Sequence, residues 1–289
     1  MLGVDVSMSN VKEILGYDVL ATLGEGAKSK IYAVKDRHNQ VYALKHVIKS
    51  EPKDSRFIEQ ALLEHRVSSR LNHPCLRRSY KVVRLRRLLR INEVFVLMEM
   101  IDGITLEGYQ PPDLVRLCQV CGQIAEGLMA MHEAGYVHAD IKPNNVMVTD
   151  DGQVKIIDFG QSCRSGTVKE RIQGTPDYIA PEQVRRKALT SRTDLFNFGA
   201  TMYWLLTGRH IPTMIPKGIQ GLEPKDVEPI VPPHEVRPEV PGALSALVMH
   251  CVEPSSKKRP ESMSRVRDRL DLAIAQLERR DSNPPAAAE

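Results

Sequence analysis

The chain contains no apolar run approaching the roughly 18 residues that a membrane span needs. Its first twenty residues hold neither a basic segment nor an apolar core of the secretory kind, so no signal peptide is expected. No internal repeat is present. The five cysteines, Cys75, Cys118, Cys121, Cys163 and Cys251, are odd in number and scattered, which builds no disulfide framework and fits a reducing cytoplasm. Cys118-x-x-Cys121 has the spacing of half a metal site, but no second pair completes it. On a helix that spacing puts both thiols on one face, where they read as small core residues. Charge is nearly balanced: 40 Lys and Arg against 36 Asp and Glu leave +4, too little to imply nucleic-acid binding. What is there, 289 residues with 42% hydrophobic and 26% charged content, suits a soluble globular chain that buries a full core in one large domain or two lobes.

The densest chemistry lies in His138-Ala139-Asp140-Ile141-Lys142-Pro143-Asn144-Asn145, followed by Asp158-Phe159-Gly160. An apolar strand, Val154–Ile157, separates the two. A carboxylate, an ammonium, an amide and a second carboxylate are the groups phosphoryl transfer requires, since that reaction depends on charge placement more than on covalent chemistry. Asp140 can orient a hydroxyl and accept its proton. Lys142 can neutralise charge on the moving group. Asn145 and Asp158 offer oxygen ligands to a hard cation such as Mg²⁺.

The order H-A-D-I-K-P-N-N, then D-F-G, then Ala180-Pro181-Glu182 resembles the catalytic loop, metal loop and A-P-E motif of protein kinases. The resemblance covers about residues 17–280. It implies an α+β, two-lobed fold: a small antiparallel β lobe with one main helix (17–100), a larger, mainly helical lobe (101–280), and ATP with Mg²⁺, or Mn²⁺ in its place, bound between them. Residues 1–16 read as an amino-terminal extension and 281–289 as a disordered tail. The implied activity is transfer of the ATP γ-phosphoryl group to protein Ser or Thr hydroxyls. Lys142, two residues after Asp140, is the serine/threonine mark. Two other readings stay open. One is a kinase fold used as a scaffold or binding module without catalysis, for which Ser29, Ser68 and Ala139 speak. The other is a small-molecule kinase, against which A-P-E and a downstream arginine speak.

The amino-terminal third alternates as strands do at Tyr17–Leu23, Lys30–Val34 and Val41–Val47, with turns expected at Gly24–Gly26 and 36–40. By the resemblance, Gly24-Glu25-Gly26-Ala27-Lys28-Ser29 is the phosphate-covering loop, with Ser29 in place of its third glycine. Lys28 at its tip either adds a cation near the phosphates or solvates the loop. Leu23, Gly24, Gly26, Ile31 and Ala43 would border the nucleotide, with Ile31 over adenine. Lys45 would pair with the α- and β-phosphates and with a glutamate of the helix expected over 56–71. The register from His73-Pro74 makes that glutamate Glu64, with Glu59 as competitor. Ser68 then stands where the family packs an apolar residue. Arg77 to Arg90 carries seven basic residues and reads as a strand and turn with one solvated basic face, or as a docking surface for an acidic partner. Met98 would be the gatekeeper, Glu99 and Ile101 would offer backbone groups to adenine, and Asp102-Gly103 would turn the chain into the second lobe.

Further on, helices are expected over 111–135, 195–207, 242–252 and 262–277, with a proline-rich surface loop at 209–241. By the resemblance Met147 floors adenine, and Thr175, in the substrate-docking loop, bonds Asp140 and Lys142. Asp194 holds the catalytic-loop backbone, and Arg259 pairs with Glu182. Ala139 replaces the arginine that in many members grips an activation-segment phosphate, so phosphorylation there is not expected to be an obligatory switch through that contact. Ser162, Ser165 and Thr167 are candidate self-phosphorylation sites, and Cys163 a candidate reactive thiol.

Overall fold

A computed structural model describes residues 12–26, 28–87, 90–212 and 229–282. Ala27, Leu88, Leu89, most of the amino-terminal extension, much of the proline-rich loop and residues 283–289 of the expected tail lie outside the described residues. The chain forms two compact units. The first comprises residues up to Asn72, Leu76–Asp102 and Asp158–Gly160; the second comprises His73–Cys75, Gly103–Ile157 and Gln161 onward.

The first unit is a six-stranded antiparallel sheet. Its strands are β1 (Glu13–Ile14), β2 (Tyr17–Gly26), β3 (Ser29–Lys35), β4 (Val41–Ile48), β5 (Ser79–Arg87) and β6 (Arg90–Glu99), in the order β1-β2-β3-β4-β6-β5. The α-helix among its described residues, α1 (Ser55–Ser68), packs on β4, β5 and β6. Alternation along each strand sorts side chains onto two faces. Tyr32, Val34, Leu44, Phe95 and Leu97 form the core of one. Ala43, Val47, Val94, Val96 and Met98 form the other, closed by Ile58 and Ala61 of α1. Lys45, between Ala43 and Val47, therefore points to the helix-covered face.

Two expectations are corrected here. Gly24 and Gly26 are not in the turn: both are paired in β2, opposite Ile31 and Ser29, and the reversal comes after Gly26. A register shift between Thr22 and Gly24 absorbs Leu23, which is left 47% exposed. Lys28 is not a loose cation at the tip. Its Nζ lies 3.1 Å from the buried Asp54 carboxylate, tying the hairpin to the turn that precedes α1.

The second unit is mainly helical: α2 (Leu114–Glu133), α3 (Pro181–Val184), α4 (Ser191–Thr207), α5 (Pro233–Val236), α6 (Gly242–Cys251) and α7 (Met263–Ser282). α7 continues five residues past its expected end, so Asp281 and Ser282 are helical rather than tail. Asp113 caps α2 by accepting the Arg116 N–H at 2.7 Å, and Gly208 ends α4 in the left-handed conformation. α4 is buried almost all round, and its approach to α6 depends on Gly199, where a Cβ would stand 2.5 Å from that of Cys251. Short strands β7 (Gly103–Thr105), β9 (Val146–Thr149) and β10 (Val154–Ile156) form one sheet, while β8 (Tyr136–Val137) and β11 (Cys163–Arg164) form another. The loops between β8 and β11 carry Asp140, Lys142, Asn145 and Asp158.

Candidate active site

In the first unit, Lys45 Nζ lies 2.6 Å from Glu64 Oε2, and Glu64 is 1% exposed. Glu59, the other glutamate weighed from the sequence, is exposed. Glu64 Oε1 accepts a second bond, from Arg77 Nη2 at 2.7 Å. Burial works against the charge of Lys45, yet Glu64, and next Asp158, push its pKa above the ordinary lysine value. Asp158 adopts a left-handed φ of 61° and accepts the Gly160 N–H at 3.1 Å, which sets its carboxylate in a tight turn. A Cβ at Gly160 would meet Gln60 of α1 at 3.4 Å, and Phe159 is 1% exposed, so this turn lies close against the helix with its aromatic ring buried.

In the second unit, the segment after β8 is held from below by Asp194 at the start of α4. Its two carboxylate oxygens accept the N–H groups of His138 at 2.9 Å and Ala139 at 2.8 Å. His132 Nε2 lies 2.8 Å from the same group. Ala139 has a φ of 62°, a conformation non-glycine residues adopt rarely, and its carbonyl accepts from Gln183 Nε2 at 2.8 Å. With the backbone fixed at both residues, Asp140 follows in a set direction. Asn145 Nδ2 donates to the Asp140 carbonyl at 2.8 Å and to Asp140 Oδ2 at 3.1 Å. Thr175 Oγ1 donates to Asp140 Oδ1 at 3.1 Å and accepts from Lys142 Nζ at 2.8 Å. Lys142 Nζ is 3.5 Å from Asp140 Oδ2.

Asn145 directs its NH₂ at Asp140, which fixes the amide and turns its carbonyl oxygen the other way. That oxygen and the Asp158 carboxylate are the hard donors Mg²⁺ prefers. Each donor taken by itself is of the type the ion prefers, and protein kinases as a family use ATP and Mg²⁺. Among the described residues no cluster of three or more His, Cys, Asp or Glu forms a metal site, and Cys118 and Cys121 are fully buried in α2.

The remaining candidates divide between the units. Ala43 pairs with Met98 and Ile31 with Lys45 across the first sheet. The Glu99 N–H donates to the Arg78 carbonyl at 2.9 Å, so the Glu99 backbone would meet a ligand by accepting at its carbonyl. Leu23, Gly24, Gly26 and Ile101 also belong to the first unit, and Met147 lies on β9 of the second. Ser162 is buried and inaccessible for modification, whereas Ser165 is exposed and Thr167 half-exposed. Cys163 is half-buried, and burial raises its thiol pKa, which opposes reactivity.

Four contributors were not found from the sequence. Gln161 Nε2 donates to Asp140 Oδ2 at 3.3 Å, and Gln183 ties Ala139 to the Gln173 carbonyl. His132 supports Asp194. Arg77, read as part of a solvated face, is buried against Glu64. Gln161 and Gln183 directly follow D-F-G and A-P-E, a position that could have flagged them. Arg77 gave no such signal.

Away from these loops, Arg259 places Nη1 and Nη2 at 2.7 and 2.9 Å from the two oxygens of Glu182, and Thr193 Oγ1 adds a 3.0 Å bond. Burial alone would raise the Glu182 pKa, but Arg259 and Thr193 bring it below the usual glutamate value.

The protein kinase domain family model matches residues 17–269. The serine/threonine-protein kinase PknL of Mycobacterium tuberculosis is 36% identical over 207 residues, 68% of this chain and 50% of its own length. A probable serine/threonine-protein kinase of Clostridium acetobutylicum is 27% identical over 270 residues, 88% of this chain and 39% of the relative. Serine/threonine-protein kinase A of Synechocystis is 28% identical over 288 residues, 90% and 54% of the two chains. The chain thus spans about half the length, or less, of these curated relatives. With the match covering most of its residues, the chain belongs to the protein kinase domain family.

Proposed function

We propose that this chain is an ATP-dependent serine/threonine protein kinase. The observation that carries the reading is the linked set Lys142–Thr175–Asp140–Asn145, in which an ammonium, a hydroxyl, a carboxylate and an amide are joined by bonds of 2.8–3.1 Å. Asp140 orients the acceptor hydroxyl and takes its proton as the oxygen attacks the γ-phosphorus and ADP leaves. Lys142 neutralises charge on the transferring group. Lys45, held by Glu64, binds the α- and β-phosphates. Asn145 and Asp158 would hold Mg²⁺, which would supply positive charge to the phosphate oxygens. Ile31, Ala43, Met98, Met147 and backbone groups of Glu99 and Ile101 accept adenine, and Leu23, Gly24 and Gly26 cover the nucleotide.

Radiolabelled ATP with a generic basic protein tests the reading, with Asp140→Asn as control. Label on Ser or Thr that disappears in the control is the expected result. No transfer favours the scaffold reading, and transfer to a metabolite but not to protein favours a small-molecule kinase.

Five free cysteines and a need for ATP support a cytoplasmic reading. No described helix is long and apolar enough to cross a membrane. An acidic partner is assigned to the edge strand β5, where Lys81, Arg84, Arg86 and Arg87 are exposed, with Arg90 opposite. Reversing Arg84, Arg86 and Arg87 to Glu weakens such a partner; unchanged binding removes it.

A further inference from the structure

Arg77 opens the basic stretch but takes no part in its solvated face. Its side chain is 9% exposed, and its guanidinium reaches one oxygen of Glu64 at 2.7 Å while Lys45 holds the other at 2.6 Å. Ser68 lies four residues after Glu64, on the same face of α1. Its hydroxyl donates to the Arg77 carbonyl. The helix therefore grips one residue twice, by the guanidinium through Glu64 and by the backbone through Ser68.

This arrangement answers a difficulty inherent in a lysine that serves both a glutamate and a ligand. Were Lys45 the sole partner of Glu64, any turn of its ammonium toward phosphate would leave a buried carboxylate uncompensated, a costly state. With Arg77 on the second oxygen, Glu64 stays compensated whatever Lys45 does. Asp158 also attracts the Lys45 ammonium, so Glu64 is not its one anionic neighbour. Ser68 is then not a lost packing residue. A hydroxyl is needed there because the neighbour across the interface is a carbonyl.

We infer that Arg77 is a positioning residue that docks α1 through Glu64 independently of Lys45, leaving the lysine ammonium available to phosphate. The docking claim stands on the first unit alone; the consequence for phosphate rests on the kinase reading above.

Hydrogen exchange of residues 55–68 in the intact chain tests the docking, comparing wild type with Lys45→Met, Arg77→Met and Arg77→Lys. Lys45→Met should leave α1 protection at the wild-type level. Arg77→Met should raise exchange through α1 on the order of tenfold, the size of one lost charge-assisted hydrogen bond, and Arg77→Lys should fall between. The KM for ATP should rise on the order of tenfold in Arg77→Met, with kcat changed less and partial rescue by Arg77→Lys. Equal loosening of α1 by Lys45→Met and Arg77→Met overturns the inference, as does unchanged α1 protection in Arg77→Met. Should Arg77→Met fail to fold, Ser68→Ala takes its place: selective loosening of α1 supports the claim, and wild-type protection overturns it. Should wild type transfer no phosphate, the kinase reading falls while the exchange data still decide the docking.

Discussion

Thr175 donates its hydroxyl to Asp140 across thirty-five residues of chain, at 3.1 Å. The same oxygen accepts from Lys142, so the hydroxyl stands between the carboxylate and the ammonium and sets their spacing.

Removing that oxygen should cost rate more than stability. Thr175→Val keeps the shape but breaks both bonds, and kcat is expected to fall between about ten- and a hundredfold, the scale of a misplaced catalytic group. Thr175→Ser keeps the oxygen and should stay close to wild type. Full activity in Thr175→Val, read by steady-state kinetics, would show that the spacing is set elsewhere.

Glu182 and Arg259, seventy-seven residues apart, form a buried two-bond pair, which makes a stability prediction. Removing the cation alone, as in Arg259→Met, leaves a buried carboxylate and should cost about 3–5 kcal/mol in urea unfolding. Adding Glu182→Met should recover much of that loss. The pH dependence follows from the lowered Glu182 pKa. The unfolded chain binds this proton more tightly than the folded chain does. The pair's contribution is therefore present above the unfolded glutamate value, near 4.5, and is lost as pH falls through the lower folded value. Wild type should lose stability below about pH 4.5 more steeply than Glu182→Gln, since the variant lacks the proton uptake. Parallel curves would mean the pair is not ionised when folded.

The grouping of the Asp140 carboxylate, the Asn145 amide and the Lys142 ammonium was legible because their spacing is local, and the strands because their period is. What lay beyond reading depended on what a long side chain meets. Arg77 and Arg84 look alike in sequence, yet one is buried on Glu64 and the other exposed on β5. Lys28 was read by its place in a loop, but its ammonium is decided by Asp54, twenty-six residues away. Gly24 and Gly26 signalled a turn, while the register shift at Leu23 carried both glycines back into the ladder. Ser68 made sense only once the Arg77 carbonyl was seen opposite it.

Ala139 leads to a prediction about control. It carries no side-chain donor, and the neighbouring segment is held by other means. Gln183 bridges the Ala139 and Gln173 carbonyls, Lys169 Nζ donates to the Gln161 carbonyl, and Gly166 and Thr167 exchange backbone bonds with Leu189. None of these contacts requires a phosphate. Phosphatase-treated protein should keep its activity within about twofold, a change below the energy of one hydrogen bond. Gln183→Ala, which removes the bridge, should lower activity more than dephosphorylation does. Near-total loss on phosphatase treatment would point to a cationic site elsewhere that reads the phosphate.

The cysteines give the last test, and here burial decides. Cys118 is pushed up to about 12 and Cys121 well above its usual value, because α2 buries both thiols and neither has a cation to stabilise a thiolate. Cys75 rises to about 11 and Cys251 to about 12 for the same first reason. Cys163 is the most accessible of the five, and Lys169 partly offsets its burial without reversing it. A thiol must reach the thiolate form to be alkylated, so at pH 7.5 the native chain should resist iodoacetamide. Labelling should begin at Cys163 and reach all five sites only when denaturant opens the core. The same burial leaves Cys118-x-x-Cys121 no open face for an ion, so a strong chelator should not shift the melting temperature. Rapid native labelling at Cys118 or Cys121, seen by mass spectrometry, would mean that α2 opens far more readily than a helix at the centre of its core should.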